Sequence, residues 1–396
     1  MKSTEKIMRN DGIYGMLPAE QMPDAVKKLR AVYARTPNAP IYHHEGWYYS
    51  MEAWREQGLP VDLKAGSEAW NNYFSFDPPA KHAVDGLGWC EAAMVPAFEE
   101  KVLERKADGT ELIQDAAGRS VLMFHDKRSG FMPEYLDHPV KDMKTWEENV
   151  KGRLNPDTPE RLSAVGPRME IAVEKAKQGV FMVQRVIGGY MYLRSLIGPE
   201  ALLYMFFDDP DLIHDCMRQW LKLNDAIIAE HQKVISFDEV FFGEDICYNN
   251  GPLISPDMME EFLMPYYKEL VDNMRARQLD QKRHLFMQLD TDGKCMPVID
   301  VYKKWIGMDV MSPFEVASGC DVVQVGKDYP ALIMIHGIDK RILAKSKEAI
   351  DQELERIIPV MKARGGYIPA CDHGVPAEVS LENYLHYRKR MVELGG

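Results

Sequence analysis

Three side chains in the C-terminal half have the types that a metal site needs. Asp292 follows the apolar run HLFMQLD, Cys320 follows DVMSPFEVASG, and Cys371 closes YIPAC. Two thiolates and a carboxylate suit Zn2+, which binds sulfur and oxygen in a tetrahedron and keeps one position open when it is catalytic. The spacing is long-range, so the same residues also read as two buried thiols and a capping aspartate. Asp290 stands two positions before Asp292 and shares its face if the strand continues, which makes it a second candidate carboxylate. His373, in ACDHGVP, lies just past a strand beside Gly374 and Pro376. A histidine there is a candidate general acid or base, or a loop histidine bonded to backbone. Glu244 in FFGED, Glu315 and His336 stand at further strand ends and are candidates for holding a polar substrate group. Tyr190, Tyr192 and Phe314 either wall an aromatic substrate or fill the core.

These residues need elements that bring distant positions together. From about residue 160 onward, short apolar runs alternate with helical patterns. Asp209-Pro210 and Ser255-Pro256 each pair a capping side chain with a first-turn proline. After the first, Leu212, Cys216, Trp220, Leu223 and Ile227 recur at helical spacing. The second opens a helix carrying Phe262, Tyr266, Leu270 and Met274 on one face, and a final helix starts at Ser380. Strands that alternate with helices imply a parallel sheet, because each crossover needs a helix. Polar residues close nearly every strand, which describes a ring of loops over one pocket. In a doubly wound sheet they would concentrate at one switch point. The expected fold is therefore α/β, a (β/α)8 TIM barrel over residues 81–396, with residues 1–80 as an aromatic-rich N-terminal cap of the same domain. Asp108-Gly109 between alternating apolar runs predicts a hairpin over about 100–124.

The chain has 396 residues and a net charge of −13. No Lys/Arg run is present, so nucleic acid is not an expected partner. No stretch approaches the roughly 20 apolar residues of a spanning helix, so no membrane partner is expected. The start, MKSTEKIMRNDG, has no apolar signal core. A cytoplasmic location is expected, with the six cysteines reduced. No G-x-G-x-x-G loop suggests a nucleotide.

The stretches DTDGK, MDVMSPFEVASGCDV, LIMIHGIDKRIL and GGYIPACDHGVPAEVSLENYLHY resemble the uroporphyrinogen-decarboxylase-like superfamily over roughly residues 160–396. That resemblance implies a (β/α)8 barrel and one of two chemistries, porphyrin decarboxylation or zinc-dependent methyl transfer with corrinoid proteins. The decarboxylases carry an N-terminal Arg-rich motif that has no counterpart here. The coenzyme M methyltransferases have a His-x-Cys pair where this chain has Asp290-Thr291-Asp292; Cys371 matches their further cysteine. An Asp plus two Cys set is most similar to the aryl methyl ether O-demethylating methyltransferases. The implied ligands are Asp292, Cys320 and Cys371 on Zn2+, polarising the ether oxygen of a methoxyarene. His373, Glu244 or Asp290 would do the acid–base work. The methyl acceptor is cobalamin on a partner corrinoid protein, since no D-x-H-x-x-G signature marks a corrinoid site in this chain. A second copy of the chain is the remaining candidate partner. The alternatives are methyl transfer to a thiol, a decarboxylase-like enzyme, and a barrel that only binds a tetrapyrrole.

Overall fold

The computed structural model describes residues 17–124 and 133–396. Seven strands form one parallel sheet in chain order: β1 (Lys81–Val84), β2 (Phe181–Ile187), β3 (Glu239–Gly243), β4 (Phe286–Asp290), β5 (Val310–Ser312), β6 (Ile333–Ile335) and β7 (Tyr367–Ile368). The sheet curls. Ala83, Phe181, Val183, Phe241, Phe286, Val310, Ile333, Ile335 and Ile368, from all seven strands, meet in one inner cluster. Their alternate neighbours Met182, Val240, Met287, Leu289, Met311, Met334 and Tyr367 enter the larger cluster shared with the helices. This two-sided burial is why the strands read as near-continuous apolar runs.

The N-terminal end of the inner cluster is plugged by the helix Asp24–Tyr33, through Val26, Leu29, Val32 and Tyr33. Polar anchors fix the plug. Arg30 pairs with the buried Asp238 at 2.9 Å, and Lys81 with Glu239 at 2.8 Å. Between β7 and β1 runs the extended segment 41–49. Its Tyr49 N–H donates to the Val375 carbonyl at 2.9 Å, and the Asp77 N–H donates to the His43 carbonyl at 3.0 Å. Tyr48 and Val375 form a parallel bridge. Among the described residues the parallel sheet therefore has seven regular strands where eight were expected, and an irregular segment spans the last interval.

The expected cap is thus three things. Its first sixteen residues lie outside the described ones. The helix Asp24–Tyr33 closes one end, and segment 41–49 runs along the sheet to bring Trp47 and Tyr49 to the other. The helices Met51–Glu56 and Glu68–Phe74 pack Trp54 and Phe74 against Tyr384 of the last helix, Leu381–Gly395, with Trp70 packed on Phe74. The expected hairpin is present as Lys101–Arg105 and Thr110–Gln114. Two more antiparallel strands, Ser120–Phe124 and Glu134–Asp137, extend it to four. The expected helix after Ser255 divides at Leu263 into Pro256–Phe262 and Met264–Arg277, so Tyr267 takes the buried place expected of Tyr266. Among the described residues no helix is long and apolar enough to cross a membrane.

Candidate active site at the strand ends

Side chains on the inner face change character along the strands. The lower layers are apolar; Arg185, Gln288, Asp290 and Ser312 form the upper one. Gln288 Nε2 donates to Ser312 Oγ at 2.7 Å, and Ser312 Oγ donates to Asp290. Burial, reinforced by the Asp245 charge, raises the Asp290 carboxyl to about 7. Above this layer stand Asp245, Asp292, Glu315, Lys340 and His373. Lys340 Nζ reaches Glu315 at 3.1 Å, and the Gly293 N–H donates to the other Glu315 oxygen at 2.9 Å. Burial alone would raise Glu315, but these two donors hold it below its ordinary value.

Asp292 has no such donor. Its side chain is 46% exposed, with Asp245, Glu315 and Asp290 nearby. Desolvation first, and then those three like charges, push its carboxyl up to about 8. His373 Nε2 lies 3.6 Å from Asp292 Oδ2, close but beyond a hydrogen bond. Burial and then Lys340 lower the His373 imidazole below its ordinary value. At neutral pH the pair is therefore a protonated carboxyl beside a neutral imidazole.

Segment 41–49 lays aromatic rings over these groups. Trp47 lies 5.5 Å from His373 and edge-on to Trp89 at 6.5 Å, and Tyr49 stacks on His373 at 6.3 Å. Trp89 stacks on Phe241 at 4.9 Å. Trp47 and Tyr49 are both about half exposed, so they rim an open mouth. Glu45 fastens the segment, accepting from the Cys371 N–H at 3.1 Å and lying 3.4 Å from the hydroxyls of Tyr384 and Tyr387. His336 sits beneath Gly46 in a left-handed backbone conformation, φ 77°. It is neutral, lowered to about 3 by burial, and its buried Nδ1 has no partner.

Several expected site residues lie elsewhere. Glu244 follows Gly243, so strand alternation turns it away from the mouth and into the helix layer. There it accepts from Tyr267 and from the Tyr190 N–H. Tyr190, Tyr192 and Phe314 are fully buried core residues. Cys320 and Cys371 belong to the apolar layer between sheet and helices. The Cys320 sulfur lies 3.8 Å from Cys295, while burial and the neighbouring Glu45 and Asp372 raise the Cys371 thiol. Asp292 alone of the expected ligand set faces the mouth. Among the described residues no three His, Cys, Asp or Glu side chains come together as a metal site. The residues do not fit the zinc that the resemblance implies at Asp292, Cys320 and Cys371. By contrast Asp290, Asp292, Glu315 and His373 do gather, and His336 lies at their edge.

Lys340 and Arg185 were missed, and of the acid pair that ends FFGED it is Asp245, not Glu244, that faces the mouth. Alternation from Gly243 points to Asp245 rather than Glu244. Lys340 follows a capping aspartate, Asp339, and reads as an ordinary helix start. Arg185 sits inside an apolar run, and a lone charge there signals an inner-facing polar layer.

The geometry describes an enzyme-like mouth: a raised carboxyl, a neutral histidine, and aromatic walls at the carboxyl ends of parallel strands. A model of the family described as uroporphyrinogen decarboxylase (URO-D) matches residues 113–393, and the chain belongs to that family. No curated protein matches the sequence. Among solved structures it is similar to a methyltransferase from Methanosarcina mazei, with a TM-score of 0.56 at 14% identity, covering 93% of this chain and 98% of that one. It is more distantly similar to a glycoside hydrolase family 5 enzyme from Prevotella bryantii, with a TM-score of 0.34 at 12% identity, covering 58% and 76% of the two chains. The first likeness shows a shared fold; the second carries no argument.

One consequence of the buried acids concerns stability. Burial raises Glu45 and Glu244 from 4.5 to about 7, and Asp290 from 3.8 to about 7. Over that interval the folded state binds more protons than the unfolded one. The stability these groups contribute is present below about 4 and is lost as pH rises through about 7. Buried neutral histidines such as His231 and His336, lowered to about 3, act in the opposite sense over the same range, so the acid is read by difference. The stability of Glu244→Gln relative to the parent should rise as pH increases from 4.5 to about 7, and a difference that stays flat would contradict the assignment of Glu244.

Proposed function

We propose that the chain is a methyltransferase that removes the methyl group of a methoxylated aromatic and delivers it to the corrinoid of a partner protein. The fold is read as a (β/α)8 barrel whose eighth place is taken by segment 41–49. The observation that carries the functional reading is the placing of Asp292, 3.6 Å from His373 at the foot of a mouth rimmed by Trp47, Tyr49 and Trp89, where burial and like charges raise its carboxyl.

An aryl methyl ether is inert because phenolate is a poor leaving group. A nucleophile at the methyl carbon needs the departing oxygen to receive a proton or a cation. With no metal site at Asp292, Cys320 and Cys371, that task falls to a proton. Asp292 is protonated at neutral pH and donates to the oxygen as the carbon–oxygen bond breaks, leaving the phenol and a carboxylate. His373, 3.6 Å away, returns a proton to that carboxylate from solvent. Trp47, Tyr49 and Trp89 stack on the ring and exclude water. The corrinoid supplies the nucleophile.

The test supplies a reduced corrinoid protein and a panel of methoxyarenes under anaerobic conditions. Phenol should appear in step with methylated corrinoid, and metal chelation should not stop it. A panel that releases no phenol, or activity abolished by chelation and restored by zinc, would overturn the reading.

A further inference from the structure

Beneath the loops of the mouth two thiols meet. The sulfurs of Cys295 and Cys320 lie 3.8 Å apart, and both side chains are buried. All six cysteines are free, and among the described residues only these two bring their sulfurs into contact. Cys295 stands in the loop after β4, where the short helix Met296–Val298 begins. Cys320 stands in the loop after β5, between the turn Val316–Ser318 and the helix Val322–Asp328. β4 and β5 are parallel neighbours, so the loops that follow them lie side by side.

The pair is tied to the candidate site. A thiol has a single proton to donate. That of Cys320 goes to the Gly293 carbonyl at 3.3 Å, so the contact between the sulfurs uses the proton of Cys295. Gly293 follows Asp292, and its N–H donates at 2.9 Å to Glu315, the carboxylate that also holds Lys340. Its φ is 75°, and a Cβ there would lie 2.6 Å from the Tyr248 carbonyl oxygen. The Lys294 N–H donates to that same oxygen at 2.9 Å. The loop that carries Asp292 is therefore closely fitted, and the Cys320 thiol helps to fasten it.

We propose that Cys320 and Cys295 are a peroxide-responsive thiol pair, closing to a disulfide that unfastens the loop carrying Asp292. The pair is independent of the methyl-transfer reading. The Cys320 sulfur attacks one oxygen of hydrogen peroxide. The oxygen–oxygen bond breaks, water leaves, and Cys320 becomes a sulfenic acid. The Cys295 sulfur then attacks the Cys320 sulfur, the sulfur–oxygen bond breaks, and a second water leaves. Both thiol protons end in water, and the two electrons lost by the sulfurs reduce the peroxide. Because both sulfurs are buried, the oxidant is one close to water in size rather than a bulky disulfide reagent. The product has no S–H, so the Gly293 carbonyl loses its donor.

The test adds hydrogen peroxide to the reduced full chain, blocks the remaining thiols on unfolding, and maps the digest by mass spectrometry. A linked pair of peptides carrying Cys295 and Cys320 should appear and be cleaved by dithiothreitol. Cys295→Ala should stop at a Cys320 sulfenic acid that dimedone traps, and circular dichroism checks that this variant is folded. In the oxidised parent, amide hydrogen exchange at Gly293 and Lys294 should quicken about two- to tenfold, the effect of losing one hydrogen bond. Both thiols still free after peroxide, or either joined to another cysteine, would overturn the pair. A Cys295–Cys320 disulfide with unchanged exchange at Gly293 would overturn its action on the loop.

Discussion

Asp292→Asn should lower methyl transfer by about a hundred- to ten-thousandfold, the usual contribution of a positioned general acid. Asparagine keeps the shape of the side chain and removes the proton. The loss should fall on turnover rather than on substrate affinity, because proton donation matters only as the oxygen departs. The wild-type profile follows from the same group. Activity needs the protonated carboxyl, so the rate should hold below about 8 and fall above it. Asp292→Glu should keep part of the activity, since the acid survives at a changed reach. A variant with asparagine that turns over at the wild-type rate would remove Asp292 from the chemistry.

The second large effect is on stability. Trp54 is fully buried, donates its indole N–H to the Val379 carbonyl at 2.7 Å, and packs on Tyr384 at 4.6 Å. Trp54→Ala should cost about 3–5 kcal/mol from the lost burial and the cavity left behind. It also leaves a buried carbonyl unpaired. The damage should spread to the mouth, because Tyr48 packs on Trp54 at 5.7 Å and belongs to the segment that carries Trp47 and Tyr49. Denaturant unfolding measures the first effect. A change under about 1 kcal/mol, well below what emptying a packed site costs, would mean that these helices do not contribute to the global unfolding unit.

The layered architecture was legible because it rests on local signals. Asp209, Ser255 and Ser380 each accept from a first-turn N–H in the structure, as their sequence contexts predict. The apolar runs at FFG, FMQLD and IMI are strands for the same reason they look like them: both faces are buried. The place of segment 41–49 between β7 and β1 was not legible within the expected N-terminal cap. The segment has no strand periodicity, and its partners, Asp77 and Val375, are supplied by tertiary structure.

The site was legible in part. Asp290, Asp292, Glu315, His336 and His373 were found because polar residues closing apolar runs gather at one end of a parallel sheet. Glu244 failed by one residue, because a strand's two faces are set by a register that a two-acid motif does not reveal. Cys320 and Cys371 failed differently. A small apolar thiol looks the same in sequence whether it faces a mouth or a helix layer, and here both face the helix layer. Tyr190 and Tyr192 sit on a helix whose buried face covers nearly its whole surface, so pattern alone could not separate wall from core.

Proton donation to the departing oxygen requires Asp292 to be an acid at neutral pH. Carboxyl-labelled aspartate, followed by 13C NMR across a pH titration and assigned by comparison with Asp292→Asn, measures this directly. A resonance assigned to Asp292 that titrates near 8 is the predicted result. A midpoint near the ordinary 3.8 would leave the carboxyl ionised throughout the neutral range and would contradict the proposed proton donation.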